Sequence, residues 1–227
     1  MATVKIVSLI SRAATLVQDT TGTRWPKAEL LNWYNDAVLA VVGLRPDAHV
    51  RNESFPCEAG TKQTIPVTGL KLINVRRNLG GNKSVIRKIP EQQLNDQVPD
   101  WHDPANSGTF AMHYVYDDRD PKTFYLYPGV PAAHPIEIVY SVAPAAAVIA
   151  NFDTDTQVIA LDDIYANPIL DFMLYRAYSK DANYTANAGR AQMHYQAFAE
   201  ALGAKTQADM GVSPNTPQPE NPVPRST

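Results

Sequence analysis

The sequence predicts an α+β fold: an antiparallel four-helix bundle made from two N-terminal and two C-terminal helices, an antiparallel β domain inserted between them, and an extended proline-rich C-terminal arm. Three observations carry this expectation. Apolar residues recur with a 3.6-residue period near both ends of the chain, short apolar runs cut by Gly, Pro and Asn fill the middle, and five prolines crowd the last stretch. The expected divisions are residues 1–48 for the first helix pair, 49–145 for the β domain, 146–205 for a connector and the second helix pair, and 206–227 for the arm.

Between residues 4 and 18, Ile6, Ile10, Ala13 and Val17 form one stripe with Leu9 and Leu16 adjacent, which predicts a first helix. Its apolar residues are broken by Lys5, Ser8, Ser11 and Arg12, so an amphipathic helix fits better than an export signal. A second helix opens at Trp25-Pro26, since proline at the first helical position sacrifices no hydrogen bond. Leu30, Tyr34, Ala37 and Val41 make its buried stripe, flanked by Trp33 and Val38, and Gly43 and Pro46 are read as its stop.

Strands are expected at Val50–Cys57, Gln63–Val67, Leu70–Leu79, Ser84–Ile89, Thr109–Tyr116, Thr123–Tyr127 and Ile136–Val142, with a turn at Asn78-Leu79-Gly80-Gly81-Asn82. Alternation is clearest for Phe124 and Leu126 and for Ile136, Ile138 and Tyr140. A short helix is expected over Pro90–Gln97 and a loop pinned by Trp101 over Val98–Ser107.

In the second helix pair, Ile169, Met173, Arg176, Ala177 and Lys180 share a face with Leu170, Leu174 and Tyr178 beside it. Ala191, Tyr195, Phe198 and Leu202 follow on the next helix, with Gly203 as its expected C-terminal stop. Residues 179–183 can cap the second of these helices. Pro168 predicts a kink if the first begins at Asp162, the alternative being a helix capped by Asn167. Residues 206–227 carry almost no large apolar side chain and are expected to be extended.

At 227 residues, with 44% hydrophobic content, the chain can bury a sizeable core, and no apolar run is long enough to span a membrane. A single cysteine, Cys57, excludes an internal disulfide and reads as a buried structural thiol rather than a nucleophile. A net charge of -3 argues against global attraction to nucleic acid. No pair among His49, His102, His113, His134 and His194 has the spacing of a helical metal site. Neither a phosphate loop nor a hydrolase motif occurs, so no catalytic residue, cofactor or metal is assigned. Asp117, Asp118 and Asp120 around Arg119 read as a turn. The pair His102-Asp103 has no identifiable nucleophile beside it.

One charge pattern stands out. No acid occurs between Glu58 and Glu91, while Lys62, Lys71, Arg76, Arg77, Lys83, Arg87 and Lys88 all fall there. From Glu91 to Asp120 the balance reverses, with Glu91, Asp96, Asp100, Asp103, Asp117, Asp118 and Asp120 against Arg119 alone. Two solvated faces would produce this. So would a ring in which one subunit's basic half, including Lys71, Arg76, Arg77, Lys83, Arg87 and Lys88, meets its neighbour's acids Asp100, Asp103, Asp117 and Asp118, or a basic surface facing DNA phosphates.

Trp25-Pro26, Glu29–Ala37 and Arg45-Pro46-Asp47, together with Asp120–Pro128 and Leu174–Asp181, resemble the head-to-tail adaptor proteins of tailed bacteriophages. The resemblance covers residues 4 to 205. It implies a non-enzymatic structural protein of the virion neck, made in the host cytoplasm and forming a ring, usually of twelve copies, beneath the portal protein. Its partners would be the portal, a tail or nozzle protein, and DNA passing through the channel. The arm, with Pro214, Pro217, Pro219, Pro222, Pro224 and Arg225, would then be a portal-binding segment. Alternatives are another neck or tail protein, such as a nozzle or completion protein, and a cell-wall hydrolase using Glu91, Asp100 and Asp103, although nothing in their spacing demands it.

Overall fold

The computed structural model describes residues 2–81, 83–181 and 183–212. The arm prolines and Arg225 lie outside the described residues. The fold is mixed α and β, and the chain divides into two compact units. One comprises the described residues of Met1–Ala37, Ile149–Ile159 and Asp163–Thr227, the other Val38–Val148 and Ala160–Asp162.

In the helical unit, α1 spans Ile6–Leu16 and buries Ile6, Leu9, Ile10 and Ala13. The residues before it pair in extended form with a later segment, through Ile6 N to Gln157 O and Ile159 N to Val4 O. Asp163 fixes the same end by accepting bonds from the backbone nitrogens of Thr3 and Val4. After α1 the chain reverses around Asp19, whose carboxylate accepts from the backbone nitrogens of Thr23, Arg24 and Trp25 at 3.0, 2.7 and 2.8 Å. These bonds, led by that of Trp25, hold the Asp19 carboxyl below the usual carboxylate range.

Helix α2, Lys27–Leu44, begins just after Trp25-Pro26 and buries Leu30, Tyr34, Ala37 and Val41 as its periodicity predicts. It runs through Gly43 instead of stopping there, because a lone glycine costs a helix only about 1 kcal/mol.

Helix α4, Ala166–Lys180, is preceded by a 3-10 turn at Asp163–Tyr165. The expected kink at Pro168 is therefore replaced by a later start. Pro168 sits in the first helical turn, where an amide has no partner to lose. On α4, Ile169, Leu170, Met173, Leu174, Ala177 and Tyr178 are buried. Arg176 and Lys180 lie at the rim, paired with Asp36 at 3.5 Å and Glu29 at 2.6 Å. The Trp25 indole donates to Ala177 O, so α4 also holds the entry to α2.

Helix α5 spans Thr185–Val212 and packs antiparallel to α4 through Phe172 and Phe198, Tyr175 and Tyr195, and a His194 to Asp171 bond of 2.9 Å. It overturns two expectations: Gly203 is not a stop, and residues 206–212 are helical rather than extended. Lys205 pairs with Asp209 one turn on, and Thr206 Oγ1 donates to Leu202 O, so the turn after Gly203 has its own support.

In the β unit, β1 (Val50–Pro56), β3 (Gly69–Asn78) and β7 (Pro135–Val142) form one antiparallel sheet in the order β1-β7-β3. The second sheet, β2-β6-β5-β4, contains β2 (Gly60–Thr64), β6 (Thr123–Val130), β5 (His113–Val115) and β4 (Arg87–Lys88). The sheets share a core of Phe55, Leu72, Val75, Phe124, Leu126, Ile136, Ile138 and Tyr140. On the other face of β6, Tyr125 and Tyr127 are covered by Leu94 and the buried Trp101. Leu94 belongs to α3, Glu91–Gln97.

Three strand expectations are corrected. The β domain is not wholly antiparallel, since β4 and β5 run parallel. A parallel neighbour requires a crossover, and α3 with its following loop supplies it. The second strand ends at Thr64, because Pro66 has no amide to donate and Val67 is 92% exposed. The expected strands Ser84–Ile89 and Thr109–Tyr116 shrink to β4 and β5, because the Asn78 side chain takes the place of a strand neighbour. Its Oδ1 accepts from Ala111 N at 3.0 Å and its Nδ2 donates to Ala111 O at 2.7 Å and to Ser84 O at 3.1 Å, across the turn. Gly69 admits no side chain, since an added Cβ would lie 2.7 Å from Ile65 Cδ1 and 2.9 Å from Tyr140 Cδ2. Cys57 is buried, and burial pushes its thiol up to about 12.

Gly203 is exposed, helical and open around its Cα. Gly203→Ala is expected to stabilise the chain by about 0.5 to 1 kcal/mol. A raised melting temperature checks the continuous α5, whereas a lowered one would restore Gly203 as a left-handed cap.

Candidate functional site

Among the described residues no group of three or more His, Cys, Asp or Glu could hold a metal ion, and no helix is long and apolar enough to cross a membrane. What the β unit presents is a surface of charge, and its register decides which charges meet. Strand β3 carries Lys71, Arg76 and Arg77, while the turn after it carries Lys83 in a left-handed conformation with φ of 53°. Arg87 and Lys88 are exposed on β4. The acids Asp117 and Asp118 sit in the turn between β5 and β6, and Asp100 and Asp103 lie in the loop after α3.

Folding brings part of the basic stretch onto part of the acidic one within a single chain. Lys71 Nζ lies 2.9 Å from Asp118 Oδ1, and Lys88 stands 5.4 Å from the centre of the Tyr116 ring. Lys71, Lys88, Tyr114, Tyr116 and Asp118 bound a concavity of about 300 Å³. The bond from Lys71 is the main reason the Asp118 carboxyl is held low, with the Lys88 charge adding to it. Burial, helped by the charges of Asp118, Asp120 and Asp117, pushes the Tyr116 hydroxyl up to about 12. Asp117 is occupied by Arg119, which follows it in the turn and donates from Nη2 at 2.8 Å and from its backbone nitrogen at 2.9 Å. The expected Asp-rich turn is thus observed.

Arg77 is taken by a residue that sequence reasoning missed. Its Nε donates to Glu137 Oε2 at 2.5 Å across the β3–β7 register, and Asn52 donates to the other oxygen at 2.9 Å. The Asn52 bond is the largest cause, and the Arg77 bond the next, of a lowered Glu137 carboxyl. Glu137 alternates with Ile136 and Ile138, which places it on the polar face of β7. That signal is in the sequence, but its partner is visible only once β3 and β7 are paired.

Arg76, Lys83 and Arg87 make no ion pair among the described residues, and neither do Asp100 and Asp103. Asp103 instead spends one oxygen on the backbone nitrogen of Ala105, capping the turn at Pro104–Asn106. Beside it, His102 stacks on Trp101 with ring centres 3.6 Å apart and shares a bond with Thr61. The His102-Asp103 pair therefore serves the loop.

Two helix pairs from opposite ends of the chain, a β excursion between them and a charged surface on the β unit are the features that comparison with known proteins has to account for. The family model for the SU10 adaptor protein matches residues 5–218. The chain belongs to that family, the phage head-to-tail adaptors, whose members are structural components of the virion neck and contact other virion proteins there. No curated protein matches the chain.

Asp117, Asp118 and Glu137 are held below their ordinary values of 3.8, 3.8 and 4.5. Groups lowered in this way stabilise the fold above their unfolded values, and the contribution is lost as pH falls through the folded ones. Thermal stability at low salt is expected to decline below about pH 4, the decline shrinking in Asp118→Asn and in salt, because Asp117 and Asp118 are exposed and screened. Equal slopes for Asp118→Asn and the native chain would show that the Lys71 pair contributes nothing.

Proposed function

We propose that this chain is the repeating subunit of a ring of twelve copies, seated beneath the portal and joining capsid to tail around the DNA channel. The match of the adaptor family over nearly the whole chain carries this reading. In it, α1, α2, α4 and α5 act as an antiparallel four-helix bundle, and the β unit supplies a second contact surface. Arg76, Lys83 and Arg87, which make no ion pair among the described residues, face Asp100 and Asp103 of the neighbouring copy, Arg76 while also acting by its charge on Glu137. Lys71, Arg77, Lys88, Asp117 and Asp118 flank that contact while engaged in bonds or charge interactions of their own chain. Complementary charge of this kind fixes register and suppresses wrong pairings more than it adds affinity. The arm, residues 213–227, extends toward the portal, with a tail or nozzle protein meeting the opposite side of the ring.

The test mixes purified chain with its portal and reads particle mass by sedimentation and symmetry by cryo-electron microscopy. A closed ring on the portal is expected. The double substitution Arg76→Glu, Arg87→Glu is expected to reduce ring yield, with the loss reversed by Asp100→Lys, Asp103→Lys. A chain that remains monomeric beside its portal overturns the ring. Full ring yield from the double substitution overturns the charged contact.

A further inference from the structure

We infer that a cleft in the helical unit receives the proline-rich arm of a second copy of this chain. The inference rests on the ring reading, because it requires a neighbour. The cleft, about 620 Å³, opens where the α1–α2 reversal and the α4–α5 turn come together. Trp25 and Tyr178 are buried and lie at its floor, while Leu16 and Tyr184 line it with 53% and 65% of their surfaces exposed. An exposed leucine and tyrosine around a concave site form a place for apolar rings to pack.

The charges of the cleft are unequal. Asp181 is already satisfied, ion-paired with Arg24 and accepting from Asn187 at 2.7 Å. Arg190 lies over the Tyr178 ring at 5.7 Å and has no carboxylate partner among the described residues. Gln18 and Asn187 add polar groups to the lining, so the fitting ligand is an extended segment that intersperses apolar rings with polar side chains and carries one acid.

Residues 213–227 have that chemistry. Pro214 and Pro217, and again Pro219 and Pro222, are three apart, and Glu220 is the segment's only acid. In a polyproline helix of three residues per turn, Pro219 and Pro222 form one ridge while Pro217, Glu220 and Val223 form the next. One ridge packs against Leu16 and Tyr184, and the adjacent one brings the Glu220 carboxylate to Arg190. Such a segment has no internal hydrogen bonds to break and little conformational freedom to lose.

Reach decides which copy supplies it. Arg190 and Val212 lie on α5, so at ~1.5 Å per residue about 33 Å separate them. An arm returning along its own helix spends about four residues on the reversal. The four that remain, through Glu220 itself, advance ~12 Å in polyproline geometry. Extended Glu and Arg side chains add roughly 10 Å at ordinary bond lengths, which leaves the gap open. The Glu220 that meets Arg190 belongs to a neighbour. Anchored through Pro217–Pro222, the arm leaves Val223–Thr227 projecting from that neighbour, available to the portal.

The experiment uses full-length chains that keep the buried Cys57. One carries Leu16→Cys in the cleft and the other Asn221→Cys in the arm. They are mixed with portal, oxidised and separated without reductant, and the particle mass is read on the same sample. A covalent heterodimer is expected in clear excess over a control pairing Asn221→Cys with Val67→Cys. Adding Arg190→Glu to the cleft chain should reduce the excess to the control level, and adding Glu220→Arg to the arm chain should restore it. Rings without the cross-link, or a cross-link indifferent to Arg190→Glu, overturn the arm exchange and leave the ring standing. Cross-linked chains without rings support arm exchange and overturn the ring; absence of both overturns both.

Discussion

Three backbone amides converging on the Asp19 carboxylate are the constraint on which the helical unit depends. The reversal from α1 to α2 contains Gln18 at a φ of 59° and Gly22 at 69°, a conformation that favours glycine and needs compensation when another residue adopts it. Asp19 supplies that compensation. Its bonds to Thr23, Arg24 and Trp25 set where the chain enters α2 and direct Trp25 inward, to 6% exposure, with its indole on Ala177 O. From there α4 is committed: Lys180 reaches Glu29 and Arg24 O, and Arg24 itself pairs with Asp181. A buried carboxylate is tolerated because its oxygens are bonded and its charge meets donors. The contact also spans most of the sequence, joining the first helices to the last across the β excursion.

How much of this was legible depends on whether the governing contact is local. The stripes of α1, α2 and α4 were legible because burial of every third or fourth residue leaves a mark in composition, and the alternation of β6 and β7 was legible for the same reason at period two. The end of α5 was not, because Gly203 is a strong signal for a cap only where the backbone turns left-handed, and here Lys205, Asp209 and Thr206 support continuation. The β4–β5 pair and the shortened β5 were hidden for a different reason. Asn78 was read as part of a turn, and its role as a surrogate strand for Ala111 depends on a contact 33 residues away. Glu137 shows the same limit at the candidate surface: its place on β7 could be read, but Arg77 and Asn52 as its partners required both strand pairings.

The charge asymmetry of the sequence illustrates how folding transforms a pattern without erasing it. Lys71 and Asp118 belong to opposite halves and neutralise each other locally, and Arg77 finds an acid from a third segment. An exposed pair such as Lys71–Asp118 is worth at most about 1 kcal/mol, and the β unit is built around its apolar core. Their consequence is selective. By removing some charges from circulation they leave Lys62, Arg76, Lys83 and Arg87 on the basic side, and Glu91, Asp96, Asp100, Asp103 and Asp120 on the acidic side, without an ion pair among the described residues. A small set of uncompensated charges defines a register for a neighbour more sharply than a diffuse field, since a displaced partner would oppose like charges instead of losing one contact among many.

The same logic separates the arm from the helix that carries it. Residues up to Val212 have amide donors and i,i+4 partners that let α5 close its own hydrogen bonds, whereas each later proline removes a donor and opposes further helix. A segment with five prolines and no large aromatic cannot offset the entropy of ordering by burying a core of its own. A proline-rich sequence has little conformational freedom to lose on binding, so under the arm-exchange proposal a cleft offering Leu16, Tyr184 and an arginine without a carboxylate partner among the described residues would need few contacts to hold it.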